Sequence, residues 1–132
     1  MPPKKKPKPK KEIPFLFMLE ELAPLEPYTK PMFGCTSIYS GDKILFILRK
    51  REDSKKDNGI WIATTAEHHS SLKKDLPSMR SIEMFGPGPT GWQNLPESSS
   101  RFEEDAFKAC AIALKNDPRI GKIPARKRPK KK

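Results

Sequence analysis

Residues 43–63 read KILFILRKREDSKKDNGIWIA, and the fold turns on them. Strand alternation places Ile44, Phe46 and Leu48 on one face of Lys43–Arg49, with Leu45 and Ile47 on the other. Both faces are apolar, the pattern of an interior strand covered on each side. Asn58-Gly59 is a turn signal, so Gly59–Ala63 follows as the next strand after a polar loop, Lys50–Asn58. On the other side, Ser37–Tyr39 reads as a strand joined to the central one through Gly41-Asp42. Short connections between neighbouring strands favour an antiparallel sheet.

Working outward, Pro14–Leu22 reads as a short helix, because Pro suits the first turn. Phe15, Met18, Leu19 and Leu22 form one apolar stripe at helical spacing. Pro24, Pro27 and Pro31 then predict an extended linker. Beyond Ala63, Thr64-x-x-Glu67 has the form of a capping box opening a helix that Pro77 ends. His69, Leu72 and Leu76 share a face of it. Ser81–Phe85 is the fourth predicted strand, Gly86–Gly91 a turn, and Trp92–Leu95 the fifth strand. A last helix begins at a second capping box, Ser100-x-x-Glu103, and runs to about Lys115. Glu103, Glu104 and Asp105 suit the positive end of its dipole. Phe102, Ala106, Ala109, Cys110 and Ala113 form its stripe, flanked by Phe107 and Leu114. The expectation is an α+β protein: one compact domain, residues 13–121, with a mainly antiparallel five-stranded sheet and about three helices.

Charge divides the chain differently. The 132 residues carry 27 Lys+Arg and 16 Asp+Glu, a formal net of +11. Residues 1–12 hold six Lys (Lys4, Lys5, Lys6, Lys8, Lys10, Lys11) and one Glu. Residues 122–132 hold seven cations, Lys122 with Arg126, Lys127, Arg128, Lys130, Lys131 and Lys132, and no acid. Setting these two segments aside leaves 14 basic and 15 acidic residues in 13–121, a net of −1. Like charges repel, and proline interrupts regular structure, so both ends read as disordered basic tails.

Lys and Arg neutralise phosphates and release condensed counterions, which makes nucleic acid the first expected partner of the tails. Eleven Lys against two Arg favour diffuse, nonspecific phosphate contact over bidentate base reading. DNA is favoured over RNA; a solubility role and acidic partners are the competing readings. The loop after the central strand adds Lys50, Arg51, Lys55 and Lys56 as candidate contacts, interleaved with Glu52, Asp53 and Asp57. Its hairpin and the one tipped by Gly86–Gly91 could act as wings; solvated loops are the plainer reading. A protein partner docking on the Phe15–Leu22 stripe is the second reading. That stripe covering the domain's own sheet is favoured over it.

No catalytic constellation is visible, so the expectation is a non-enzymatic protein with no cofactor and no small-molecule substrate. Adjacent His68 and His69 point about 100° apart on a helix and make a poor metal pair. Ser98–Ser100 is a cap cluster with no base placed near it. Gly86–Gly91 is broken by proline and lacks the Lys-Ser/Thr of a phosphate loop. Trp61 and Trp92 could stack bases, but strand positions favour core. Cys35 and Cys110 could form one bridge; two reduced thiols, with Cys110 buried, are favoured. The longest apolar runs, Pro14–Leu19 and Ile44–Leu48, fall far short of the roughly 20 residues of a membrane span. No signal-peptide apolar region follows the basic start, and the expected location is the cytoplasm.

Several of these residues carry a resemblance. Met32-Phe33-Gly34-Cys35, then Ile38-Tyr39 and Gly41-Asp42-Lys43-Ile44, resemble the Met-Phe-Gly-Gly entry and first hairpin of the TfoX N-terminal domain. Ile60–Leu76, Pro77, Gly91-Trp92-Gln93-Asn94 and Phe102–Lys115 are similar to the strand, capped helix, Trp-bearing strand and last helix of YjbR (MmcQ-like) proteins. The resemblance spans roughly residues 14–121, with Cys35 where the TfoX pattern has a second Gly and a longer Lys50–Asn58 loop. It implies a bacterial protein with a compact α+β fold on a curved antiparallel sheet. It implies no catalytic residues, and it associates the fold with competence regulation and with a proposed double-wing mode of DNA binding.

Overall fold

The computed structural model describes residues 13–32, 34–83 and 91–123. Lys43–Arg49 (β3) is an interior strand, buried along nearly its whole length. Cys35–Ser40 (β2) pairs on one side of it and Gly59–Ile62 (β4) on the other, both antiparallel. Tyr28–Met32 (β1), Arg80–Ser81 (β5) and Gln93–Pro96 (β6) complete one sheet, in the order β1-β2-β3-β4-β6-β5. Every neighbouring pair is antiparallel. With helices Phe17–Glu21 (α1), His69–Asp75 (α2) and Phe102–Leu114 (α3), the fold is α+β.

The sheet has six strands where five were expected. The additional one is β1, which the prolines had marked as a linker. Pro31 lacks an N–H and so cannot sit inside a sheet, but an edge strand has one side that needs no partner. β1 is such an edge, paired among the described residues with β2 alone, with Pro31 opposite Thr36.

Strict alternation also fails in β3. Ile38 faces Phe46 while the next residue, Tyr39, faces Ile44, so Leu45 is an extra residue in a β-bulge. A bulge turns two successive side chains toward one face. Leu45, Phe46 and Leu48 accordingly join one core cluster and Ile44 and Ile47 the other. All three helices feed the first cluster, through Met18, Leu72, Phe102, Ala106, Ala109, Cys110, Ile112 and Ala113. The second gathers Tyr39, Ile44, Ile47, Trp61, Ala63 and Ile82, with Trp92 packed against it. Burying a large apolar side chain contributes roughly 1.5–3 kcal/mol, so both faces of β3 stabilise the fold.

Local signals were realised unevenly. Ala106, Ala109 and Ala113 are buried on α3 as expected, whereas Phe107 and Leu114 are exposed. Neither capping box forms. The residues after Thr65 begin with a 3-10 turn, Ala66–His68, and Thr64 Oγ1 is buried without a hydrogen-bond partner among the described residues. Arg101 is the N-cap of α3, and its N–H donates to Ser99 Oγ at 3.0 Å. Asp105 is fully buried and leaves the helix surface to accept from Ser78 N–H (2.9 Å) and Ser78 Oγ (2.6 Å). β5 is shorter than the predicted Ser81–Phe85, β6 starts one residue after Trp92, and positions 84–90 of that predicted hairpin lie outside the described residues. After α3, Ile120 enters the core and Lys122 pairs with Ile44 through two main-chain hydrogen bonds of 2.8 and 3.0 Å.

Two glycines separate strain from space. Gly59, at φ +148°, would bring a Cβ to 2.1 Å from the Leu95 carbonyl oxygen; Gly41, at φ +60°, would meet nothing within 4 Å. Gly59→Ala is therefore expected to lower unfolding free energy by about 3 kcal/mol. Gly41→Ala should cost only about 1 kcal/mol. Urea denaturation midpoints of the two variants check the order.

Candidate nucleic-acid interface

The loop after β3 was expected to offer Lys50, Arg51, Lys55 and Lys56 to phosphates. Its shape comes from the residue before it. Arg49 is 1% exposed, so its guanidinium must find acceptors inside the protein. It donates to Asn58 Oδ1 (2.7 Å), to the Ser54 carbonyl (3.0 Å), and to the carbonyl and carboxylate of Asp53 (2.9 and 3.3 Å). Asn58 also clasps the main chain of Arg51, accepting from its N–H and donating to its carbonyl, both at 2.9 Å. Asp57, fully buried, accepts from the Glu83 N–H and from Arg80, and its carbonyl accepts from Trp61 Nε1 at 2.9 Å. The loop is thus a folded plug held from below, where a slender wing needs a projecting basic tip.

Each of the four candidate cations has an acidic neighbour. Lys50 pairs with Glu97, Arg51 with Asp53 at 2.9 Å, Lys55 with Glu52 at 3.3 Å and Lys56 with Glu83 at 3.0 Å. Exposed pairs of this kind contribute little, about 0–1 kcal/mol, and a phosphate could compete for any one cation. The field they present together is close to neutral, which removes long-range attraction. The tail candidates Lys4, Lys5, Lys6, Lys8, Lys10, Lys11, Arg126, Lys127, Arg128, Lys130, Lys131 and Lys132 lie outside the described residues.

Two open cavities flank Arg51 and Glu52. One, about 470 Å³, is lined by Pro14, Gly34, Cys35, Leu48 and Lys50; the other, about 490 Å³, by Lys55, Asn58, Glu97 and Ser98. Gly34 at the first takes a left-handed φ of +77°, which favours glycine, and the Arg51 guanidinium lies over it. Cys35 at this cavity is half-buried, and burial pushes its thiol up more strongly than Arg49 and Arg51 pull it down. An activated thiolate needs the opposite shift.

Among the described residues no group of three His, Cys, Asp or Glu could hold a metal. His69 is partly buried and its Nε2 lies 3.3 Å from the Gly91 carbonyl oxygen. Trp61 is core, with Trp92 tilted against it at 6.1 Å between centroids. Among the described residues no helix is long and apolar enough to cross a membrane. No family model, curated protein or solved structure matches the chain.

Sequence reading missed Arg49, Asp57 and Arg80, the residues that tie the loop down. Nothing in their spacing distinguishes them from the exposed charges around them. Asn58 carried a signal, as half of Asn-Gly, but it pointed to a turn and not to a clasp.

The thiols give a pH test. Cys35 and Cys110 form no disulfide, and burial pushes Cys110 up to about 12. A raised pKa means less thiolate at a given pH, hence slower alkylation. At pH 8 the native protein should react with iodoacetamide more slowly at Cys35 than the unfolded chain does, and not measurably at Cys110. Mass spectrometry of the labelled peptides checks both.

Proposed function

We propose that this is a non-enzymatic, nucleic-acid-associated accessory or regulatory protein of the cytoplasm, with a TfoX-N/YjbR-like domain between two phosphate-binding tails. One observation carries it: thirteen cations against one acid are gathered in two terminal segments, while the stretch between them is net −1. The ion pairs of Lys50, Arg51, Lys55 and Lys56 support the same division, since they leave the loop a minor contributor. Each tail cation that meets a phosphate releases counterions, giving affinity without sequence preference. DNA is the favoured nucleic acid.

A protein partner is the second reading. The α1 stripe no longer recommends it, because Met18 and Leu22 are fully buried in the domain's own core. The exposed Phe107 and Leu114 of α3 do, being one stripe at i, i+7.

The test is binding of the full chain to duplex DNA and to RNA across salt. If about six tail cations engage phosphates, affinity should fall on the order of 10³-fold between 50 and 200 mM salt. Replacing the tail Lys and Arg by Gln should abolish most binding and flatten the salt slope. Undiminished binding by that variant would assign the affinity to the domain and overturn the tail mechanism. A defined protein partner that survives nuclease and high salt would favour the second reading.

A further inference from the structure

The outward face of α3 carries an apolar stripe that the core does not use. Phe107, Ala111 and Leu114 are all exposed, and they follow one another at i, i+4 and i+7 along the helix. Ala106, Ala109, Cys110 and Ala113 take the opposite side into the core. The stripe continues past the helix edge. The half-buried Phe17 ring of α1 lies 5.1 Å from that of Phe107.

Charge runs along this helix with a direction. Residues 101–105 carry Arg101 against Glu103, Glu104 and Asp105, a net of −2. Residues 106–115 carry Lys108 and Lys115 and no acid, a net of +2. Arg101 is already engaged by Glu104 and Asp105, each at 3.3 Å. Acid first and base last suits the helix's own dipole. It also makes the face complementary to itself when reversed. An antiparallel copy sets the acidic start of each helix beside the basic end of the other, whereas a parallel copy sets like beside like. Helix geometry carries the pairing to single residues. At about 100° per residue, Glu104, Lys108 and Lys115 fall within about 40° of one another, on one margin of the stripe. A two-fold axis between positions 109 and 110 keeps that margin and reverses its order. Glu104 then lies level with the partner's Lys115, and Phe107 falls between the partner's Ala111 and Leu114. Ala111 is small and sits beside the axis, so the two helices can approach closely.

We propose that this face binds a second copy of the chain, forming a two-fold dimer with antiparallel α3 helices. Two-fold pairing requires one surface that complements itself, and this one does in both shape and charge. The inference rests on the protein-partner reading above and names its partner; it is independent of the nucleic-acid reading. Thirteen residues make a helix about 20 Å long and 10–12 Å across. That footprint is well below the roughly 800 Å² per partner of a standard interface, so the dimer belongs to the weak, reversible class. Residues 13–121 are net −1, so the domains themselves meet with little repulsion. Repulsion between the basic tails is screened beyond about 8 Å at about 0.15 M salt.

Sedimentation equilibrium of the nuclease-treated full chain at that salt reads the association. The weight-average mass should rise from 15.1 kDa toward twice that value between about 10 μM and about 1 mM. Ala111→Glu changes an exposed position to another good helix former and brings two carboxylates together at the axis. It should raise the dissociation constant at least about tenfold. Glu104→Lys and Lys115→Glu should each weaken association by about tenfold, since each sets like charges together twice. An equimolar mixture of those two variants should associate like the parent, because every such contact then joins opposite charges. A parent that stays at the monomer mass at about 1 mM would overturn the self-partner. It would leave the stripe open to another protein and the tails to DNA. Parent-like association of Ala111→Glu, or a mixture that does not recover, would overturn the antiparallel face.

Discussion

The burial of Arg49 constrains the rest of this molecule. A guanidinium removed from water must have its donors satisfied or the fold loses several kcal/mol. Arg49 ends the central strand, and its guanidinium gathers Asp53, Ser54 and Asn58 around itself. Ser54 takes a left-handed conformation there, at φ 46°, a strain that the surrounding bonds must hold. With 53, 54 and 58 collected at one point, the chain re-enters the sheet at Gly59, whose Cβ-free backbone fits against Leu95. One buried charge thus determines both the shape of the loop and the start of β4.

That geometry also decides the electrostatics. A loop of the same composition left to swing in solvent would present five cations and three acids as a diffuse basic tip. Folded down on Arg49, it holds its lysines against Glu52, Glu83 and Glu97. The sequence outside this arrangement divides its charge differently: residues 13–121 are net −1, while residues 1–12 and 122–132 hold thirteen cations against one acid.

Where one physical rule acted alone, structure could be read from sequence. β3 and β4 are apolar on both faces, and no other placement buries them. The small-residue stripe of α3 had one use, close packing. Where two rules competed, the outcome depended on partners distant in the chain. Pro31 forbids an interior strand but permits an edge, and only the presence of β2 settles which. The bulge at Leu45 arises from fitting β2 to β3 and has no signature in β3 itself. Thr64 and Ser100 had the capping spacing, yet a 3-10 turn, Ala66–His68, stands between Thr65 and α2, and Arg101 is the N-cap of α3. The loop cations were visible and their partners were not, because Glu83 and Glu97 come from β5 and β6 flanks some 30 to 50 residues on.

The exposure of Tyr28 follows from strand order in the same way. Tyr39 has a neighbour on each side, Tyr28 in β1 and Ile44 in β3, and is buried between them. Tyr28 has a neighbour on one side alone, because β1 ends the described sheet. An open edge invites another strand, but Pro31 withholds an N–H and Lys30 adds a charge, two features that discourage such pairing. The edge is therefore a poor template for a further β-strand. The proline that made this segment look like a linker thus marks it as an edge strand.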